Sequence, residues 1–221
     1  PDIVPERSVF IIVRDYEQEF CIIFFLWAVT IIGMKTQHTL RQRALLERTL
    51  VQLQDGMSIL PEDSRNYARP VQALGPKEKE FLLPRALLAG LHRFQSTQNI
   101  HAVSSIIKDT CETEADRMET ELSIVRYIAW AIPSIGFLGT VRGIGTALGQ
   151  AYQAVAGDIA GVTQSLGVAF NSTFVALVVS IFLMFLLHQL QLQQDRLVLD
   201  CQNYCDERLI RHMQVPEKAN S

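Results

Sequence analysis

The composition of this chain indicates an integral membrane protein. It has 221 residues, of which 48% are hydrophobic and only 19% charged, and the charged residues are concentrated in one block. The net charge of −3 gives no indication of a nucleic-acid partner, and we expect none.

Three membrane-spanning helices are predicted from the uncharged runs of the chain. These runs are Phe20–Met34, Tyr127–Val141, Gly143–Gly157 and Ile159–Leu187. The last run has 29 residues, about 43 Å of helix against a hydrocarbon core of about 30 Å. The first run is short, but Gln18 and Lys35 can extend it because long polar side chains reach the membrane surface. The predicted spans are residues 18–37, 126–152 and 160–188.

The distribution of lysine and arginine predicts the orientation of the spans. Residues 35–123 contain twelve of these side chains, the tail after His188 contains four, and the connection 150–160 contains none. We therefore expect residues 38–125 and 189–221 to be cytoplasmic and the N-terminus to lie outside. Residues 1–17 are expected to form a short amphipathic segment on the periplasmic surface.

Helices are also predicted for the cytoplasmic residues. The first span should continue to about Gln54, and the glycines and prolines of the next twenty residues predict a loop. A helix from about Lys77 to Gln95, bent at Pro84, should follow. Another helix, N-capped by Ser96 or Thr97, should run directly into the second span. The apolar stripe after His188 predicts that the third span continues as a cytoplasmic helix.

Two threonines lie inside the apolar second and third spans. If these spans form a hairpin that turns near Gly157 and Asp158, Thr140 lies 18 residues before Asp158 and Thr173 lies 15 after it. The mismatch is about 4.5 Å along the helices, so the hydroxyls should lie at nearly one level. A hydroxyl buried in an apolar region needs a partner, so each threonine either bonds its own helix backbone or lines a polar path.

Small side chains surround both threonines on their helix faces. The face of Thr140 and the face of Thr173 are predicted to pack against another helix, or to line a lumen within a ring of subunits. The predicted lumen residues are Pro133, Gly136, Gly143, Ala147, Ala169, Ala176 and Ser180. Glycines four residues apart favour close approach of membrane helices, and the predicted packing positions are Gly139, Gly145 and Gly149.

Motifs that would indicate an enzyme are absent from the sequence. There is no nucleotide-binding loop of the Gly-Lys-Ser/Thr type, no His-Glu-x-x-His and no convincing triad. Cys201 and Cys205 lie four residues apart on one predicted helix face, and such a lone pair is more often packing than a redox or metal site. We therefore expect no enzymatic activity, no bound cofactor and no metal site.

The sequence around both threonines resembles a known family. The stretch from Gly136 to Ile144, Gly-Phe-Leu-Gly-Thr-Val-Arg-Gly-Ile, is similar to the Gly-Leu-Leu-Gly-Thr-Val-x-Gly-Ile signature of the MotA/TolQ/ExbB proton channel family. The stretch from Ala169 to Leu177 resembles the family's second signature, Ala-Leu-x-x-Thr-x-x-Gly-Leu. The order of three spans is similar to the ExbB/TolQ branch.

The resemblance implies an all-α membrane protein that assembles as a pentameric ring in a bacterial inner membrane. The ring would surround a dimer of a single-span ExbD/TolR/MotB-like subunit, whose transmembrane aspartate would face Thr140 and Thr173. On this interpretation the chain conducts protons or sodium ions and converts the ion-motive force into mechanical work. The alternative is a non-conducting structural ring that anchors a periplasmic partner, with both threonines as packing residues. The resemblance leaves open which cellular process such a motor would power.

Three positions depart from the family's pattern. Arg142 stands where ExbB-like sequences often have tryptophan, Ala176 replaces a glycine, and Val168 stands where ExbB has a glutamate. An arginine near the middle of a membrane costs about 2.5–3.5 kcal/mol on insertion scales unless it is paired or hydrated. We therefore expect a partner-subunit carboxylate, a cluster of backbone carbonyls or a lipid phosphate near Arg142.

Overall fold

The computed structural model describes residues 16–48, 50 and 58–215, and this part of the chain is helical. The eight α-helices of the described residues are α1 Tyr16–Leu46, α2 Ser64–Gln72, α3 Pro76–Lys79, α4 Leu82–Thr97, α5 Ile100–Glu121, α6 Ser123–Gly149, α7 Ala151–Val155 and α8 Ala160–Arg208. Short 3-10 helices cover Pro61–Asp63 and Ile210–His212. No strand occurs within the described ranges, so the all-α prediction is confirmed for them. The predicted N-terminal segment lies outside them, apart from its last two residues.

The helices form two compact units. The first, called the apolar unit, comprises Pro1–Met34 and Leu122–Gln189, and the second, the polar unit, comprises Lys35–Glu121 and Leu190–Ser221. Three helical stretches are long and apolar enough to cross a membrane, and each overlaps one predicted span, although the second stretch ends three residues before the predicted end of its span at residue 152. They are Tyr16–Leu46, Ile100–Gly149 and Ala160–His212.

In the apolar unit, hydrogen bonds from side chains to backbone carbonyls connect the three long helices. The Ser180 hydroxyl of α8 donates to the carbonyl of Ala129 in α6 over 3.2 Å. The Cys21 thiol of α1 lies 3.6 Å from the carbonyl of Ile132 in α6. Many large apolar side chains of this unit stay exposed, as expected for helices that contact lipid. Examples are Trp130, Phe137, Phe170 and Phe182.

The core of the polar unit lies between α4 and α5 and is closed by the last turns of α8. Gly90 of α4 makes room for Ile107 of α5, because a Cβ atom at this glycine would lie 2.9 Å from the Ile107 side chain. At the edge of the core, Arg85 donates to the almost fully buried Glu114 carboxylate over 2.7 Å. Cys111, Cys201 and Cys205 are buried in this core.

Two predicted helix boundaries are wrong, and the positions of Pro84 and Asn99 explain them. The expected bent helix from Lys77 is two helices, α3 and α4, because Pro84 lies in the first turn of α4, where its missing N–H is not needed. The N-cap of α5 is Asn99, whose Oδ1 accepts bonds from the N–H groups of His101 and Ala102.

The segment that was predicted as a loop contains a helix. Helix α2, Ser64–Gln72, follows the 3-10 turn Pro61–Asp63 and packs against α4. Pro70 lies inside α2 without ending it. Ala68 and Val71 are buried against the core of the polar unit, and this burial outweighs the low helix propensity of the segment. The predicted continuation of the first span ends at Leu46, so it is shorter than expected.

Candidate functional site

The apolar unit brings the two threonines into direct contact. Thr140 lies on α6 and Thr173 on α8, and their hydroxyl groups form a hydrogen bond with each other. The Thr173 hydroxyl also lies 3.0 Å from the carbonyl oxygen of Gly136. The Thr140 hydroxyl lies 3.1 Å from the carbonyl oxygen of Ala169. Each hydroxyl therefore bonds across the helix pair, and the Thr140 hydroxyl also lies 3.4 Å from the carbonyl oxygen of Gly136 in its own helix.

Around this threonine pair there are more hydrogen-bond acceptors than hydroxyl protons. A threonine hydroxyl donates one hydrogen bond and accepts up to two. The two protons of Thr140 and Thr173 can be directed to the carbonyl of Gly136, to the carbonyl of Ala169 or to each other. Whichever arrangement is adopted, hydroxyl lone pairs remain that can accept a further hydrogen bond. Both threonine side chains are only partly buried, so a hydrogen-bond donor from outside the helix pair can approach these lone pairs.

Small side chains allow α6 and α8 to approach closely around this pair. A Cβ atom at Gly143 would lie 2.6 Å from the Cβ of Ala169, and one at Gly136 would overlap Ala176. Gly136, Gly143, Ala147, Ala169 and Ala176 are accordingly buried within one chain.

Of the two alternatives predicted for these small-residue faces, packing against another helix occurs within one chain, because α6 and α8 cover each other. Among the predicted lumen residues, Ser180 is also nearly buried, whereas Pro133 is partly exposed. That these positions line a lumen stays a prediction about an assembly.

The three predicted packing glycines have different surroundings. A Cβ atom at Gly139 would lie 2.7 Å from the Cβ of Ser172 on α8 and 3.4 Å from the Cγ of Glu17 on α1. Gly139 thus lies where three helices meet. A Cβ atom at Gly145 or Gly149 would have no described neighbour within 4 Å. These two glycines make no close contact between the described helices of a single chain.

Arg142 forms an ion pair with Glu17. Its guanidinium nitrogen lies 2.8 Å from a carboxylate oxygen of Glu17 at the beginning of α1. The Glu17 side chain is only 16% exposed, whereas that of Arg142 is 51% exposed. Glu17 precedes the uncharged run Phe20–Met34 by three residues, so the pair lies at one end of the apolar part of α1. A paired arginine at this position costs far less than an isolated one in the middle of a membrane.

A family model matches residues 78–203, which include both threonines and Arg142, and it describes the MotA/TolQ/ExbB proton channel family. The matched segment is more than half of the 221 residues. The chain belongs to this family. With three helices long enough to cross a membrane, this MotA/TolQ/ExbB family member is a multi-pass membrane protein. Its family is of the proton channel type rather than a family of enzymes. No curated protein sequence matches the chain.

Sequence reasoning missed Glu17 as a residue of the site in this family member. The prediction placed residues 1–17 on the membrane surface and looked for a counter-charge to Arg142 on a partner, a backbone or a lipid. The available signal was a carboxylate just before the first apolar run. Choosing Glu17 from sequence required knowing that the start of α1 lies beside α6, and the two residues are 125 positions apart.

Proposed function

We propose that this protein is the ion-conducting ring subunit of an inner-membrane motor, with Thr140 and Thr173 in the ion path. Five copies surround a dimer of a single-span ExbD/TolR/MotB-like subunit, and ion flow past its transmembrane aspartate drives movement of ring and partner against each other. The transported ion is a proton or a sodium ion. The distribution of lysine and arginine supports a cytoplasmic C-terminus and a periplasmic N-terminus.

The hydrogen-bonded hydroxyl pair is the observation that carries this proposal. Thr140 and Thr173 form a hydrogen-bonded polar group in the contact between α6 and α8, and they retain unused acceptor capacity. A hydrated cation or a protonated carboxyl group that approaches this pair would find hydroxyl lone pairs able to accept a hydrogen bond. A carboxylate could be bonded by turning one hydroxyl proton away from a backbone carbonyl, without rearrangement of the helices. Such preformed hydrogen bonds lower the cost of bringing charge into an apolar region.

In this mechanism a carboxylate alternates between its charged and neutral forms, and it has to come from outside the apolar parts of α6 and α8. Between Ser123 and Leu187 the charged residues are Arg126, Arg142 and Asp158. Asp158 lies in the connection between α7 and α8, where its Oδ1 accepts a bond from the N–H of Ala160. Glu17 is paired with Arg142. This distribution supports a partner that supplies the aspartate.

Replacing the threonines with valine tests the proposal. Valine preserves the branched shape and removes the hydroxyl, so Thr140→Val with Thr173→Val should abolish ion flux through reconstituted complexes while ring and partner remain assembled. Thr146→Val is the matched control, since among the described residues the Thr146 hydroxyl bonds only the carbonyl of Arg142, in its own helix, over 3.0 Å. Wild-type flux in the double variant would refute the ion-path role.

A non-conducting structural ring is the second candidate. It is favoured by one observation: the threonine hydroxyls are satisfied within a single chain, as packing residues would be. On this reading the double valine variant should lower the thermal stability of the complex by about 1–2 kcal/mol and leave any flux unchanged. Measuring flux and stability on the same preparations distinguishes the two functions.

A further inference from the structure

A cavity of about 410 Å³ lies in the polar unit between α2 and α4. This volume is within the range of small-molecule sites and larger than a single inorganic ion requires. Six polar side chains line it, and they are Ser64, Arg65, Arg69, Gln72, His92 and Gln95. Among the described residues no carboxylate and no aromatic ring other than His92 lines the cavity. The lining is therefore rich in hydrogen-bond donors and carries positive charge.

The two arginines of the cavity are available to a ligand. Arg65 and Arg69 are four residues apart on α2, so they lie on the same face of the helix. Both are exposed, and neither forms an ion pair with a residue that the structure describes. By contrast, Arg85 and Arg117 of the same unit are paired with glutamates. Two unpaired guanidinium groups beside one cavity favour an anionic ligand.

Ser64 provides a second, independent indication of a ligand. It lines the cavity at the start of α2 and is 2% exposed, yet its hydroxyl oxygen has no hydrogen-bond partner among the described residues. A buried hydroxyl without a partner is costly, and such groups are rare in native structures. Its oxygen is itself almost inaccessible, so the Ser64 side chain has to turn about χ1 before an acceptor atom of a bound ligand can satisfy this hydroxyl.

We propose that this cavity binds a small phosphate ester. Two guanidinium groups, two side-chain amides, an imidazole and a hydroxyl offer more donors than the roughly four acceptor sites of a carboxylate, and a phosphate group presents three terminal oxygens to them. The remaining volume accommodates a small polar alcohol portion. The lack of an aromatic side chain for stacking argues against recognition of a nucleobase. Helix α2 precedes residues 78–203, so this site lies mostly outside the segment that matches the family.

Calorimetric titration of the full chain in phosphatidylcholine nanodiscs tests the proposal, with glycerol 3-phosphate and inorganic phosphate as probes. Both probes should bind, and the ester should bind more tightly because it fills more of the cavity. The variant Arg65→Gln with Arg69→Gln should weaken binding more than about tenfold, since it removes the charged donors. Arg93→Gln is the matched control, because Arg93 lies next to His92 on α4 but does not line the cavity. It should change the affinity less than about twofold.

Equal weakening by the control and the double variant would overturn the proposal, because it would indicate attraction to the net charge of the unit. If neither probe binds, a soluble phosphate ester is excluded as the ligand, and the remaining source of a phosphate group is a lipid headgroup. For that source, nanodiscs containing phosphatidylglycerol should retain this lipid on the wild type and lose it on the double variant. No retention there, together with no probe binding, would refute a phosphate site of either source.

Replacement of Ser64 separates ligand binding from a structural role. Ser64→Ala should weaken glycerol 3-phosphate binding about tenfold or more, the range expected for one hydrogen bond to a charged group. The melting temperature of the ligand-free protein should stay the same or rise, since an unsatisfied hydroxyl has been removed. A lower melting temperature with unchanged affinity would show that the hydroxyl serves the fold, and it would remove Ser64 from the site.

Discussion

Replacing Gly143 with alanine should push α6 and α8 apart at the threonine pair. The added Cβ would lie 2.6 Å from the Cβ of Ala169, whereas carbon atoms pack at about 3.5–4.0 Å, so the helices would have to separate by about 1 Å. Overpacking of this kind costs about 1–3 kcal/mol. Alanine regains up to about 1 kcal/mol through its higher helix propensity. With the full gain, the net expectation is a destabilisation of about 0–2 kcal/mol relative to the wild type.

Gly145→Ala is the matched control for this experiment. It makes the same chemical change two residues along α6, but the new Cβ would have no described neighbour within 4 Å. Its stability should therefore equal or exceed that of the wild type. Unfolding by sodium dodecyl sulfate in mixed micelles, followed by circular dichroism, measures both variants. If Gly143→Ala were as stable as Gly145→Ala, the close contact between α6 and α8 would not exist as described.

Three further predictions concern other contacts. Glu17→Gln should destabilise the protein by only about 1 kcal/mol, because Arg142 is half exposed and solvent weakens its ion pair. In a double-mutant cycle with Arg142→Gln the two effects should be non-additive, and additive effects would contradict the ion pair. Asn99→Ala should lower the stability of the polar unit by about 0.5–2 kcal/mol in thermal unfolding, and an unchanged melting temperature would contradict the N-cap. Thr173→Ser keeps a hydroxyl beside Gly136 and should retain most ion flux; flux as low as in Thr173→Val would show that the methyl group matters instead.

The glycines of α6 show how well a sequence pattern predicts contacts between helices. The four-residue spacing of Gly139 and Gly143 indicated close helix approach, and in the structure both face α8. The same spacing of Gly145 and Gly149 indicated the same thing, yet these two make no close contact between the described helices. Spacing places residues on a helix face, but it does not say whether another helix covers that face.

The sequence by itself determined the helical class, the three apolar stretches and the placement of Thr140 and Thr173 near one level. These properties follow from hydrophobicity and from the rise of a helix, both of which are local. The same local rules missed α2, whose proline and polar residues indicate a loop. Ala68 and Val71 hold this helix against the core of the polar unit. Burial against distant residues outweighed propensity there.

Only the tertiary structure decided which groups meet. It placed Glu17 beside Arg142 across 125 residues and brought the two threonine hydroxyls within hydrogen-bonding reach. It also left the Ser64 hydroxyl buried beside Arg65 and Arg69, with no hydrogen-bond partner among the described residues. Each of these arrangements depends on the rotation and approach of helices that are far apart in the chain. Composition and periodicity describe one helix at a time, so they contain no information on those relative positions.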